Sequence, residues 1–284
     1  VAYNTLYICL PIIITTVCKW IFPQIPVILT HMKIASWNVN SIKARLEHVK
    51  RFLIEQSPDV LMIQELKGVD FPSAEFEVIN YQSHAVGQKA YNGVATISKH
   101  PIDIVLDHLP GDKTDGQARY LEADINGLRI INIYLPNGNP APGPKYDYKL
   151  GWMERLYERL KTLRERDIPF LIGGDFNVIP HDKDCYNPTI WEGDALFRPQ
   201  THAAYRALLN LGLHDALRMT SNAPKLYTFW DYQAGAWQKN NGVRIDHFLL
   251  SPYVADIMQT CSIDKTPRSW ERPSDHTPII IKLL

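Results

Sequence analysis

The chain has 284 residues, 45% of them hydrophobic and 21% charged, which excludes a disordered or fibrous protein and suits one soluble domain of about 250 residues. Thirty Lys and Arg against thirty Asp and Glu leave a formal net charge of +0, so no overall basic character marks a nucleic-acid binder, and any such contact must use a local patch. The four cysteines, Cys9, Cys18, Cys185 and Cys261, show no zinc or CxxC spacing and argue against a disulfide framework, which fits a reducing, cytoplasmic setting.

Residues 1–31 differ in kind from the remainder. They are largely apolar but are divided by Lys19 and by Pro11, Pro23 and Pro26. A membrane span needs about 20 apolar residues in a row. A secretory signal is also a poor match, because no Lys or Arg precedes the apolar run and no small-x-small cleavage site follows it. This segment is expected to be an extension outside the fold, upstream of a start at Met32, with a membrane anchor as the lesser alternative. Residues 32–284 are expected to form one catalytic domain.

From Met32 onward, short β runs alternate with helical periods. Residues 33–38 read as a strand, 45–56 as a helix with Leu46, Val49, Phe52 and Leu53 on one face, and 60–63 as a short buried strand. The runs 77–86, 93–98, 102–108, 119–125 and 128–135 then read as consecutive antiparallel strands. The breaker cluster 136–144 must be a loop, and the helix after it carries Leu150, Met153, Leu156, Tyr157, Leu160 and Leu163 on one face. A strand over 170–173, a helix over 201–211 and strands over 243–250 and 277–282 complete the pattern. It predicts an α/β fold of two packed sheets with helices outside, and no sequence repeat signals internal symmetry.

Carboxylates and amides gather where the β runs end: Asn38 and Asn40, Glu65, Asp175 and Asn177, Asp246, then Asp275 with His276. Strand ends meet at sheet edges, so these groups are plausible neighbours in one pocket. Hard oxygen ligands suit Mg²⁺ or Mn²⁺ better than zinc. Each residue alone has an ordinary alternative as a turn former, a cap or a solvated charge. No HExxH, GxSxG, Walker A or GxGxxG motif competes.

The segments Met32-Lys-Ile-Ala-Ser-Trp-Asn-Val-Asn40, Ile63-Gln-Glu-Leu-Lys67, Tyr134-Leu-Pro-Asn137, Gly173-Gly-Asp-Phe-Asn177, Arg244-Ile-Asp246 and Pro273-Ser-Asp-His-Thr-Pro278 resemble, in order, the signatures of the exonuclease III family of apurinic/apyrimidinic (AP) endonucleases. The resemblance spans 32–284 and implies a four-layer α/β sandwich of two mixed, mainly antiparallel sheets packed face to face. It implies a metal ligand at Glu65 with Asn38 beside it and Asp275 nearby, and a water-activating pair at Asp175 and Asn177, also counted with the metal site. By the same resemblance Asp246 orients His276, and Tyr134 and Asn137 contact phosphate.

Lys43, Arg45 and Lys67 adjoin these motifs and suit contact with a DNA backbone, although each could be a solvated charge. By resemblance Phe229, Val243 and Ile245 line a pocket for a baseless sugar. The implied activity is Mg²⁺-dependent or Mn²⁺-dependent cleavage of duplex DNA 5′ to an abasic site, with 3′-to-5′ exonuclease and 3′-end-cleaning activity, by a monomer that needs no membrane. The rivals are another phosphoesterase of the same superfamily, acting on phosphoinositide, sphingomyelin or RNA, and a non-catalytic nucleic-acid-binding protein.

Overall fold

Strand β1 (Met32–Asn38) is buried along almost its whole length, and β2 (Val60–Gln64) is a continuous apolar run covered on both faces, as a central parallel strand must be. They pair in parallel from Ile34 opposite Val60 to Asn38 opposite Gln64. Helix α1 (Ile42–Gln56) makes the crossover, started by the Ser41 hydroxyl, which accepts from the Ala44 N–H, and stopped at Ser57 in the left-handed region. The computed structural model describes residues 31–284. The expectation for residues 1–31 therefore lies, His31 apart, outside the described residues.

A short helix α2 (Ser73–Glu77) precedes β3 (Gln82–Val86) and β4 (Val94–Ser98). The second sheet begins with β5 (Asp103–Leu106), β6 (Tyr120–Ile125) and β7 (Leu128–Tyr134). Helix α3 (Pro144–Glu165), with Pro144 in its first turn, crosses to β8 (Phe170–Asp175), which pairs in parallel with β7 from Arg129 opposite Phe170 to Tyr134 opposite Asp175. Then come α4 (Pro188–Trp191), α5 (Pro199–Asn210), β9 (His214–Asp215), α6 (Ala216–Thr220), β10 (Asp246–Leu250), α7 (Pro252–Asp256), β11 (Met258–Ile263) and β12 (Ile279–Leu283).

One sheet has the order β3-β4-β2-β1-β12-β11 and the other β5-β6-β7-β8-β10-β9. Each has one parallel pair at its centre and antiparallel pairs on both sides. The two sheets thus share a pairing pattern that no sequence repeat betrays. Met32, Ile34, Met62, Ile125, Phe248 and Ile281 are among the side chains that fill the space between them. Leu156, Leu160 and Leu163 of α3 cover the outer face of the second sheet, and Val49, Phe52 and Leu53 of α1 that of the first. This is the expected sandwich of two mixed, mainly antiparallel sheets with helices outside.

Three local expectations are corrected. Residues 77–86 are not one strand: Phe76 is fully buried, stacks on Phe71 and ends a helical turn, and Asn80 at φ 62° reverses the chain before β3. The run of consecutive antiparallel strands breaks between β4 and β5, which belong to different sheets. The strand expected over 243–250 begins only at Asp246, because Val243 makes isolated bridges to Phe229 and Cys185. Among the described residues, no helix is long and apolar enough to cross a membrane.

A buried ionic cluster ties β10 to its surroundings. Arg244, without exposed surface, donates to Asp184 (2.6 and 3.1 Å), to Asp215 (2.8 and 3.1 Å) and to Nδ1 of His247 (2.9 Å). An arginine can only donate, so Nδ1 of His247 accepts and its Nε2–H donates to the Val178 carbonyl at 2.9 Å. Burial and the Arg244 guanidinium push the His247 imidazole down to about 4. The unfolded chain protonates this histidine near its usual pKa while the folded chain resists, so stability falls as pH drops from about 6.5 to about 4. The contribution is up to about 3 kcal/mol. Urea midpoints of the wild type and His247→Gln at pH 7 and pH 5 check this: the variant is expected to lose less stability between the two, and equal losses would exclude His247 as the source.

Candidate active site

The ends of both parallel pairs open onto the same edge of the sandwich. Asn38 ends β1, Glu65 follows β2, Tyr134 ends β7 and Asp175 ends β8. Two glycines let β8 reach this place. A Cβ at Gly173 would lie 2.5 Å from the Phe248 ring and 2.6 Å from Met62 Cε, and one at Gly174, whose φ is 143°, would lie 1.9 Å from the Ile133 carbonyl oxygen. Only glycine permits that approach. Asn40, Glu65, Lys67 and Asn177 all have φ between 46° and 56°, so the loops leaving the strands carry the local strain that functional sites tend to concentrate.

The side chains form one connected set. Asn38 Nδ2 donates to Glu65 Oε1 at 2.9 Å and to Asp175 Oδ2 at 3.0 Å, and the Tyr134 hydroxyl donates to Glu65 Oε1 at 3.0 Å. Lys67 Nζ lies 2.9 Å from Glu65 Oε2. His276 Nδ1 meets Asp246 Oδ2 at 2.8 Å, while its Nε2 faces Asp175 Oδ2 at 3.7 Å. Asp175 Oδ1 accepts from the Asn177 N–H at 2.9 Å, and Asn137 Nδ2 donates to Asn177 Oδ1 at 3.0 Å. The ring of Phe229 meets that of His276 edge-on at 4.9 Å.

Three acidic side chains in so little space set the charge states. Burial, with the Asp246 and Glu65 carboxylates close by, raises the Asp175 pKa well above the usual carboxylate range against the pull of His276. Burial works against a charged His276, but Asp246 and Asp175 outweigh it and carry the imidazole up to about 10. Burial likewise opposes ionisation of Glu65, yet the Asn38 amide and the Lys67 ammonium hold its pKa below the usual value. Glu65, Asp175 and His276 each bring a ligand atom within 4.8 Å of the others. The imidazole of His276, held charged, offers no lone pair, so the donors left are the carboxylate oxygens of Asp175 and of Glu65, which is ionised, partly exposed and already holds the Lys67 ammonium; such a set fits a hard divalent ion.

The structure brings together Asn38, Glu65, Tyr134, Asn137, Asp175, Asn177, Asp246 and His276, as expected. Others are placed differently. The Asn38 oxygen accepts from the Asn40 N–H at 3.0 Å, so the amide presents NH₂ rather than oxygen to the carboxylates. Asp275 stands outside the central cluster, accepting from Asn40 Nδ2 at 3.0 Å. Arg45 is a clasp, donating to the carbonyls of Asn40 and Pro273 and to the Tyr232 hydroxyl, whereas Lys43 is exposed. Val243 (1% exposed) and Ile245 (3%) are core, which leaves half-buried Phe229 as the accessible member of the expected pocket. Sequence reasoning missed Lys149, a buried lysine beneath Asn137 and Asn177. Its signal was a charged residue on the apolar face of a helix, four positions before Met153.

The endonuclease/exonuclease/phosphatase family model matches residues 35–276, a span that holds every residue of this cluster. Exodeoxyribonuclease III of Haemophilus influenzae is 32% identical over 87% of this chain and 98% of its own. The chain belongs to the exonuclease III family of AP endonucleases. Among solved structures, a 3′-5′ exonuclease from Neisseria meningitidis superposes with a TM-score of 0.85 at 38% identity, covering 89% of this chain and 99% of that one. An AP endonuclease from Archaeoglobus fulgidus gives 0.85 at 37% identity with the same coverage. A family member with this geometry should keep its histidine charged. By NMR, His276 of the wild type is expected to stay protonated well above neutral pH, and Asp246→Asn, by removing the nearest opposing charge, should bring its titration down by more than one unit. An unchanged titration would mean that Asp246 does not set the charge.

Proposed function

We propose that this metal-dependent DNA repair nuclease hydrolyses the phosphodiester 5′ to an abasic site in duplex DNA, leaving a 3′-hydroxyl, and that it also resects and cleans damaged 3′ ends. The reading includes Mg²⁺ as the ion, with Mn²⁺ as a substitute, and a monomer acting in the cytoplasm. Cys185 and Cys261, both unpaired and buried, suit a reducing compartment.

The observation that carries the proposal is the unbroken chain of contacts from Glu65 through Asn38, Asp175 and His276 to Asp246. Asp175, with its raised pKa, is suited to accept a proton from water as that water attacks phosphorus and the bond to the 3′ oxygen breaks. His276, kept charged by Asp246, stabilises negative charge on the non-bridging oxygens. Asn177 holds Asp175 through its backbone N–H, and Asn137 and Tyr134, bonded to Asn177 and Glu65, are the proposed phosphate contacts. A divalent ion bound at Glu65, when present, supplies positive charge to the phosphate and the departing oxygen. The reading assigns contact with the DNA backbone to exposed Lys43 and to Lys67, and contact with the sugar to Phe229, whose ring is edge-on to His276.

A phosphoinositide or sphingomyelin esterase is disfavoured by near-complete coverage of an exodeoxyribonuclease. A non-catalytic binding protein is disfavoured by the intact cluster. Resection as the main activity has one observation in its favour: the Neisseria 3′-5′ exonuclease is as similar to this chain as the Archaeoglobus AP endonuclease.

The test is cleavage of a duplex carrying one abasic analogue, with and without Mg²⁺, beside an undamaged duplex with recessed 3′ ends and a phosphoinositide panel. Incision that requires the ion and the lesion is expected. Cleavage of the lipid panel alone would overturn the proposal. Glu65→Gln is expected to lose activity that excess Mg²⁺ or Mn²⁺ partly restores, whereas Asp175→Asn should lose on the order of 10²–10⁴-fold with no recovery at any metal concentration. Equal rescue of both would contradict the assigned roles. Phe229→Ala should lower abasic incision more than 3′ resection, and a parallel fall in the two rates would mark the ring as packing alone.

A further inference from the structure

Helix α3 turns its apolar face to the second sheet, and Lys149 occupies that face three and four residues before Trp152 and Met153. The lysine has no exposed surface and, among the described residues, forms no ion pair within 4.0 Å. Its ammonium instead donates to two backbone carbonyls, of Asn137 at 3.0 Å and of Asn177 at 2.6 Å. Burial without a carboxylate partner pushes the Lys149 amine down to about 7, and an apolar side chain of similar length would suit the helix better, so a lysine at this place needs a reason.

The residues it joins supply one. The Asn177 backbone N–H holds Asp175 Oδ1 at 2.9 Å, and Asn137 and Asn177 lie on loops that leave the paired ends of β7 and β8. Their side chains are bonded to each other, and Asn177 Nδ2 also donates to the Leu135 carbonyl at 2.9 Å. Lys149 fastens the two backbones from behind. The loop is shaped around it: Gly138 has φ 92°, and a Cβ there would lie 2.7 Å from Lys149 Cδ and 3.1 Å from Ala195 Cβ. Glycine and lysine are therefore fitted to each other.

We propose that Lys149 is a positioning residue for phosphodiester hydrolysis, holding the backbones of Asn137 and Asn177 at one spacing so that the Asn177 N–H keeps Asp175 in place with the Asn137 amide bonded beside it. It touches no substrate, and the proposal rests on the nuclease reading above. Without the ammonium, two carbonyl oxygens converge on an unfilled space and the loops separate. Misplacement of that kind is felt in the transition state more than in substrate binding.

Steady-state kinetics on the abasic-analogue duplex at saturating Mg²⁺ decide the matter. Lys149→Met is expected to lower kcat on the order of 10²-fold, with KM changed by less than about threefold and the Mg²⁺ concentration for half-maximal rate unchanged, since Glu65 belongs to the other sheet. Lys149→Arg, which can still donate to both carbonyls, should recover most of the loss. A folded Lys149→Met with wild-type kcat, or one whose loss lies wholly in KM, would overturn the proposal. If Lys149→Met fails to fold, Gly138→Ala takes its place by pressing on the lysine stem without removing its charge: a fall in kcat at constant KM supports the role and a wild-type kcat excludes it. Wild-type cleavage in the same assay tests the nuclease reading separately.

Discussion

The Asn38 amide donates at once to Glu65 on its own sheet and to Asp175 on the opposite sheet. Two carboxylates held that close in a partly dry cleft repel each other, and each would otherwise push the two sheets apart at their shared edge. One NH₂ group between them turns the repulsion into a join. The cations around it complete the neutralisation, with Lys67 on Glu65 and His276 facing Asp175. The remaining features of the site follow from keeping that join in place: the glycine pair that delivers Asp175, the left-handed residues that turn the loops inward, and the Asp246 carboxylate that fixes the histidine.

Behind the site, the sheets are joined by apolar packing and by a polar bridge, in which Gln64 donates to Asn132 at 2.7 Å and Asn132 donates to the Ala95 carbonyl at 2.9 Å. A buried amide pair of this kind adds direction to a core that packing alone would leave free to slide. It lies one residue before Glu65. The sequence neighbour that faces the core thus sets the register of the one that faces the substrate.

The sequence showed the strand ends clearly, because the β runs and the polar residues that stop them are both local signals. Val60 to Gln64 and Phe170 to Asp175 could be read on apolar content alone. Elements defined by partners distant in sequence could not. Strand β11 is mostly exposed, with Cys261 its one buried side chain, so it has little apolar contrast and exists because β12 is beside it. The run expected over 77–86 lost its first residues because Phe76, stacked on Phe71, holds the chain in a helical turn as far as Glu77. Within the site, motif order identified the acids and the histidine, but the engagement of Arg45 with Pro273 and the burial of Val243 depend on contacts spanning the chain, which no local pattern encodes.

The position of β12 has a consequence for how the protein comes into being. This strand is placed in the interior of its sheet, between β1 and β11, and His276 lies three residues before it. Strand β1 therefore waits for β12, and Asp175, which the Asn38 amide holds, waits for the histidine that faces it. A chain emerging from the ribosome carries Asn38, Glu65 and Asp175 long before it carries His276, so the cluster cannot close until the residues of β12 have also been made. The same geometry ties the cluster to the sheet, since loss of β12 removes an inner strand and frees the loop that carries the imidazole.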